Sequence, residues 1–362
     1  MPYFGSFDLH CNNAVGVIID ENKKVVLKRR FKNDLETILK TLEPFGESLE
    51  GLVVESTYNW YWLVDGLMDN NYKVHLAHTV ETAATCSKKY SDDYRDAFHL
   101  ADLLRKDELP EGYIYPKEDR PLRDLLRKRG MLVRSRTQHL LSLENFFNRH
   151  LAIRVNASYT KKLKDQELDL MFTDPYLQFS AKSNLAVIKT LSCQIEKLEK
   201  VILKAAKSKK EFQQLLTIPG IGIVIALAIL LEVGNINRFK KPGCYISYCR
   251  CAPSRKESNN KKKGEGNRKN GNKYLSWAYI EAANFTIRFC PYAKAYYMKK
   301  LKTAGQRVVA LKSVAAKLAR ATYYMLKEDV KYDPEKLFGK LKETNKGCDS
   351  KPRRGLDDQP SV

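Results

Sequence analysis

The sequence predicts an α/β unit in the first third of the chain, a long helical middle and a mostly helical last third. Two observations carry that division. Before Pro116, short apolar runs of strand length alternate with helical periods, whereas beyond it apolar residues recur at helical spacing. The charge changes sign along the same line. Residues 1–120 carry 15 Lys+Arg and 21 Asp+Glu, while residues 121–362 carry 49 and 21. The chain of 362 residues has a formal net charge of +22. A polyanionic partner is therefore expected mainly on the later two-thirds, nucleic acid first, because clustered Lys and Arg release counterions from phosphates.

Taken in order, Tyr3–Leu9 and Ala14–Ile19 read as strands, and Lys24–Phe31 follows the polar turn Asp20-Glu21-Asn22. Leu35, Ile38, Leu39 and Leu42 have helical spacing. Gly51–Glu55 is a strand, Tyr58–Met68 a helix, Lys73–Ala77 a strand and Asp93–Leu104 a helix. That order suits a mixed sheet with helices on its faces. Among nucleic-acid enzymes it is the RNase H-like order.

Past Pro116, Leu122, Leu125, Leu132, Leu140, Leu143 and Phe147 share one helical stripe, and Ile188, Leu191, Ile195, Leu198 and Ile202 alternate at spacings of three and four. Two long amphipathic helices fit a coiled-coil arm and an ordinary bundle equally well. A third unit opens on Thr217-Ile218-Pro219-Gly220-Ile221-Gly222, passes a polar loop at Ser254–Lys273 and closes in helices rich in Ala, Lys and Tyr. The expected divisions are 1–115, 116–208 and 209–332, with 333–362 a mostly disordered tail.

Several classes drop out. The longest apolar run, Ile218–Val233, is broken by Pro219, Gly220 and Gly222 and contains Glu232, so no membrane span is expected. No signal-peptide pattern is visible at the N-terminus, and 8 cysteines are too few for a disulfide scaffold. A reduced, cytoplasmic protein is expected. Cys244, Cys249 and Cys251 lack the CxxC spacing of a zinc site.

Four carboxylates stand out. Asp8 and Glu55 end apolar strands, where an unpaired carboxylate is costly. Asp93 and Asp96, three apart, project from one face of a helix. Such a set can hold divalent ions for phosphoryl transfer. For Asp93 and Asp96 alone, acids favoured by a helix dipole are an equal reading. The later loop concentrates charge: Arg255–Lys273 contains eight basic residues (Arg255, Lys256, Lys261, Lys262, Lys263, Arg268, Lys269 and Lys273) against two acidic ones. That density suits phosphate contact. Pro219-Gly220-Ile221-Gly222 reads either as a helix-hairpin-helix turn offering N–H groups to a phosphate or as a tight turn between helices.

In these contexts the acids resemble the DEDD tetrad of the Piv/MooV family of DNA invertases and insertion-sequence transposases. Glu55-Ser56-Thr57 stands where the family commonly has Glu-Ala-Thr, and Asp93-x-x-Asp96-Ala97 resembles its acidic pair. The Pro-Gly-Ile-Gly turn, Ala252-Pro253 followed by Glu257-Ser258, and Asn270-Gly271-Asn272-Lys273-Tyr274-Leu275 resemble its C-terminal motifs, with Ser276 where Arg is usual. The resemblance spans roughly residues 1–330. It implies a RuvC-like catalytic domain and a serine-bearing transposase domain. Asp8, Glu55, Asp93 and Asp96 would bind Mg²⁺. Ser258 would be the nucleophile of a covalent phosphoserine–DNA intermediate, with Ser254 its nearest rival. It also implies double-stranded donor and target DNA, a non-coding bridge RNA as guide, a homodimer or homotetramer, and a place at the prokaryotic nucleoid. The competing functions are a junction-type nuclease that activates water and leaves Ser258 idle, and a nucleic-acid-binding protein with an inactive RNase H-like domain.

Overall fold

The computed structural model describes residues 1–85, 92–254, 256–264 and 270–341. The chain divides into two compact units, Met1–Pro121 and Leu122–Val362. The boundary expected near residue 208 lies inside the second.

In the first unit, β1 (Tyr3–Leu9), β2 (Asn13–Asp20) and β3 (Val25–Lys32) form an antiparallel meander. Helix α1 (Leu35–Leu42), capped by the Asp34 carboxylate, leads through a 3₁₀ turn into β4 (Leu49–Glu55). Then come α2 (Tyr61–Asp69), β5 (Val74–Ala77), α3 (Thr79–Thr85) and α4 (Asp93–Arg105). The sheet order is β3-β2-β1-β4-β5, with β4 and β5 parallel to β1. This mixed α/β sheet is consistent with the RNase H-like arrangement. Every predicted strand and helix forms; α3 is an addition.

Alternation along the strands sorts side chains onto two faces. Phe7, Leu9, Ala14 and Ile18 pack with Ile38, Leu42, Leu63, Val64 and Leu67 of α1 and α2. Val15, Val17 and Ile19 face Ala97 and Ala101 of α4. Small residues let α4 lie close to the sheet, and the buried Ser6 hydroxyl donates to the Ala97 carbonyl.

The second unit begins along α5 (Arg120–Leu151), a helix of 32 residues. After α6 (Ala157–Lys162) and α7 (Asp165–Met171) comes α8 (Pro175–Ala206), also 32 residues long. Leu140, Leu143 and Phe147 of α5 bury against Ala181, Leu185 and Ile188 of α8. Arg129 pairs with Glu199, and His139 Nδ1 lies 3.0 Å from Asn184 Oδ1, so the two helices run antiparallel. The stretch between them, irregular in sequence, holds two short helices.

The rest of the unit comprises α9 (Lys210–Leu216), α10 (Ile223–Val233), α11 (Pro242–Tyr248), a hairpin of β6 (Lys256–Ser258) and β7 (Lys261–Gly264), α12 (Lys273–Phe289), α13 (Pro291–Ala304), α14 (Arg307–Glu328) and α15 (Pro334–Phe338). One expectation changes here. The polar loop contains a two-stranded hairpin, closed by Asn259 and Asn260 with φ of 52° and 55°. Two successive positive φ values make the type I′ turn that matches strand twist, and asparagine tolerates them best after glycine. The stretch expected to be mostly disordered from residue 333 begins with α15, capped by Asp333 and carrying Phe338 against the Tyr296 ring. Its residues 342–362 lie outside the described residues.

The glycines of two motifs are demanded by packing. Gly220 has φ +96°, and a Cβ there would meet the Thr286 amide nitrogen at 2.4 Å, while Thr286 Oγ1 donates to the Pro219 carbonyl. The Pro-Gly-Ile-Gly segment is thus a tight turn seated on α12. Gly271 has φ +92°, and its Cβ would lie 2.5 Å from the Tyr248 carbonyl oxygen.

Candidate functional site

Asp8 and Glu55 meet through strand register. Phe7 pairs with Val54 across the parallel β1–β4 ladder, so the next residues, Asp8 and Glu55, stand side by side at the carboxyl ends of both strands. Ser6 contacts α4, and Val53 packs with Leu100 of α4, so by alternation Asp8 and Glu55 share that face. Helix α4 starts above them. Asp92 caps it by accepting from the Arg95 amide, which leaves Asp93 and Asp96 in its first turn.

The electrostatics follow from this crowding. Glu55 is raised from 4.5 to about 8, by burial first, then by its hydrogen bond to Asp8 and the charges of Asp8 and Asp96. Asp8 itself is only 6% exposed. Asp93 faces a different neighbourhood. Arg30 of β3 donates to its Oδ2 at 2.7 Å, held in turn by Asn13 Oδ1, also at 2.7 Å. The Arg30 hydrogen bond chiefly holds the Asp93 carboxyl below its ordinary range, with His10 assisting. His10 Nε2 lies 3.3 Å from Asp93 and 3.6 Å from Asp8. Its backbone carbonyl accepts from Asn33 and Asn59, which fixes the turn after β1.

Sequence reasoning singled out the four acids. It gave no signal for Arg30, whose partner is 63 positions away. Burial and the charges of Asp8 and Asp96 push the Glu55 carboxyl up to about 8, and Arg30 pairs with Asp93. Ligand atoms of Asp8, His10 and Asp93 lie within 4.8 Å of one another, enough to hold one ion. Hard carboxylate oxygens with this excess of negative charge fit a divalent cation such as Mg²⁺.

The other candidates lie in the second unit. Ser258 is exposed at the end of β6, with Lys261 as its cross-strand partner, one step from the turn. Lys261 and Lys263 are exposed on β7, and Lys273 is exposed at the start of α12. Lys256 and Lys262 belong to the two hairpin strands. Arg255, Arg268 and Lys269 lie outside the described residues.

Nearby, Asn272 proves to be a junction. Its Oδ1 caps α12 through the Tyr274 and Leu275 amides, and its Nδ2 donates to Glu232 Oε2 at 2.8 Å. Glu232, fully buried, also receives Arg127 at 2.7 and 2.8 Å. An aspartate at 272 could cap the helix but would repel Glu232, so the amide is needed. Two tyrosines are packed away inside the unit: Tyr245 and Tyr279 are fully buried, with their hydroxyls 2.6 Å apart.

Carboxylates at adjacent strand ends, faced by a helix N-terminus, fit a class of protein: nucleic-acid enzymes with an acidic cluster on a mixed sheet. Comparison with known proteins narrows the class. A transposase family model of the DEDD, IS110 type matches residues 7–151. A second, described as transposase IS116/IS110/IS902 family, matches residues 212–298. Over 274 residues the chain is 22% identical to a protein of Pseudomonas aeruginosa named as a family 20 transposase, covering 72% of this chain and 80% of that protein. It is 24% identical over 237 residues to a protein of Sinorhizobium fredii named as a transposase, covering 64% of this chain and 57% of that one. The chain belongs to the IS110-type DEDD transposases. In general terms it is therefore an enzyme that cuts and rejoins DNA. Among the described residues no helix is long and apolar enough to cross a membrane.

Proposed function

We propose that this transposase is a site-specific recombinase that attacks DNA with Ser258 and uses Mg²⁺ held by the acid cluster. The observation that carries the reading is the convergence of Asp8 and Glu55 at adjacent strand ends, where burial and the charges of Asp8 and Asp96 push the Glu55 carboxyl up to about 8. Asp8, Glu55, Asp93 and Asp96 would hold the ion, with His10 within reach of Asp8 and Asp93. When bound, it would supply charge stabilisation to the phosphoryl group and to the oxygens entering and leaving.

The residues of the chain account for the rest. Arg30 keeps Asp93 ionised and fixed. Asn33 and Asn59 hold the His10 backbone and so the turn that ends β1. Ser258 stands exposed on a short hairpin among lysines that attract phosphates. In the step we propose, a bond forms between Ser258 Oγ and phosphorus as the phosphorus bond to one strand oxygen breaks. The serine gives up its proton, and the departing oxygen takes one. One phosphoester replaces another, so strands can be rejoined without ATP.

The family resemblance supports three further parts of this reading: donor and target DNA duplexes, a non-coding guide RNA that pairs with both, and a dimer or tetramer that brings several active sites together. Denaturing electrophoresis of end-labelled DNA after reaction tests the nucleophile. Wild type should leave protein on one DNA end, and Ser258→Ala should lose both cutting and adduct. Cutting without any adduct in Ser258→Ala would mean that water attacks. An adduct lost in Ser254→Ala but kept in Ser258→Ala would move the nucleophile to Ser254.

A further inference from the structure

A cleft of about 1190 Å³ opens in the second unit between α11, α13 and α14, with Ser254 on its wall. Its lining is of two kinds. Ile246, Pro253, Val308 and Val309 are apolar, and the last two are 72% and 50% exposed at the rim. Lys312, Lys317 and Arg320 supply positive charge, and no acidic side chain lines the cleft among the described residues. Lys312 and Arg320, eight apart on α14, share a helix face. Between them the small Ser313 and Ala316 leave the helix surface recessed.

These cations are poorly compensated. Lys317 Nζ donates to the Leu337 carbonyl at 2.7 Å and lies 5.4 Å from the Tyr296 ring centre. Among the described residues none of the three pairs with a carboxylate. Burial, then Arg320 and Lys300, hold the Lys317 ammonium below its ordinary range. A partner carrying phosphates would relieve this crowding and leave each cation fully charged.

We infer that this cleft binds an unpaired stretch of DNA strand, its phosphates on Lys312, Lys317 and Arg320 and its bases covering the apolar wall. A duplex presents mainly phosphates to such a surface. An opened strand also brings base faces to bury, and single-strand sites combine these two kinds of contact. The volume exceeds the roughly 300–1,000 Å³ of a small-molecule site and so suits several nucleotides. That the strand is DNA rests on the recombinase reading, because cutting beside Ser254 and Ser258 would leave unpaired DNA there.

The test measures binding by the full chain and needs no cleavage, so its failure is separate from failure of the serine assay. Fluorescence anisotropy would follow an oligothymidylate of about 15 nucleotides, near the upper site size for single-strand binders. Lys312→Gln with Arg320→Gln should bind about tenfold more weakly, and the salt slope should fall by about 1.4, two single-strand phosphates' worth. Lys299→Gln with Lys302→Gln removes equal charge from α13 outside the cleft lining and should change affinity by no more than about twofold. Equal losses in both pairs, or none in the first, would overturn the site. Loss of oligouridylate binding alone would overturn its assignment to DNA. With wild-type protein, a 4-thiothymidine probe should crosslink to peptides containing Pro253-Ser254 or spanning Arg307–Arg320, so the site can be tested even if the double variant fails to fold. Crosslinks confined to other peptides would reject it.

Discussion

Replacing Glu55 with glutamine should stabilise the metal-free protein in alkali while destroying the proposed metal site. In the native fold this carboxyl is raised from 4.5 to about 8, whereas in the unfolded chain it ionises at its ordinary value. The stability it contributes is present below pH 4.5 and is lost as pH rises through about 8, because the unfolded chain releases the proton first. A glutamine cannot titrate, so the two proteins should melt alike near pH 4.5 and diverge above it. At full value the displacement corresponds to at most about 5 kcal/mol. Glu55 is partly exposed, and water screening brings a realistic figure to about 2 kcal/mol. For a medium-sized protein that is a rise in Tm of roughly 4–8 °C. The assay is thermal melting in EDTA at pH 5 and pH 9, followed by Mg²⁺ titration at pH 7.5. Wild type should gain stability from Mg²⁺ and release a proton on binding it, whereas Glu55→Gln should respond weakly. Identical melting of the two proteins at pH 9 in EDTA would refute the account of a crowded acid cluster.

Other expectations follow from the same geometry. Asp8→Asn should abolish DNA cleavage and leave DNA binding within about twofold, since the lost charge belongs to the metal site rather than to a phosphate contact; full activity with Mg²⁺ would exclude Asp8 as a ligand. Neutralising Lys261, Lys262 and Lys263 together should lower the salt slope of nucleic-acid binding by at most about 2–3, and an unchanged slope would show that the hairpin is only solvated. Arg127→Ala should cost about 3–5 kcal/mol in chemical denaturation, because Glu232 stays buried with its charge poorly matched; a loss under about 1 kcal/mol would mean that Asn272 suffices. Gly220→Ala should destabilise the α9–α10 turn, visible as earlier proteolysis there, since the new Cβ meets α12 backbone.

Much of the first unit was legible because its signals are local. Strand alternation, the polar turn at Asp20–Asn22 and the helical spacing of Leu35–Leu42 each draw on neighbours a few residues apart. The four acids were also visible, since carboxylates that follow apolar strands are conspicuous. Sequence by itself therefore determined the elements, their order and which acids are candidates. It missed the hairpin around Ser258 because Asn259-Asn260 lies among lysines and glycines, where turn chemistry gives no contrast.

What the tertiary structure alone decided is how those acids differ. Parallel pairing of β1 with β4 sets Asp8 beside Glu55, and seating of α4 on the same sheet face brings Asp96 to them, so burial and like charge raise Glu55. Antiparallel pairing of β2 with β3 carries Arg30 to Asp93 and gives that acid a cationic partner. Registers between strands distant in sequence depend on how the whole sheet closes, and no local pattern records them. The same holds for Asn272. Its place in a sequence motif is plain, but its need for an amide arises only where Glu232 and Arg127 meet it in the packed core.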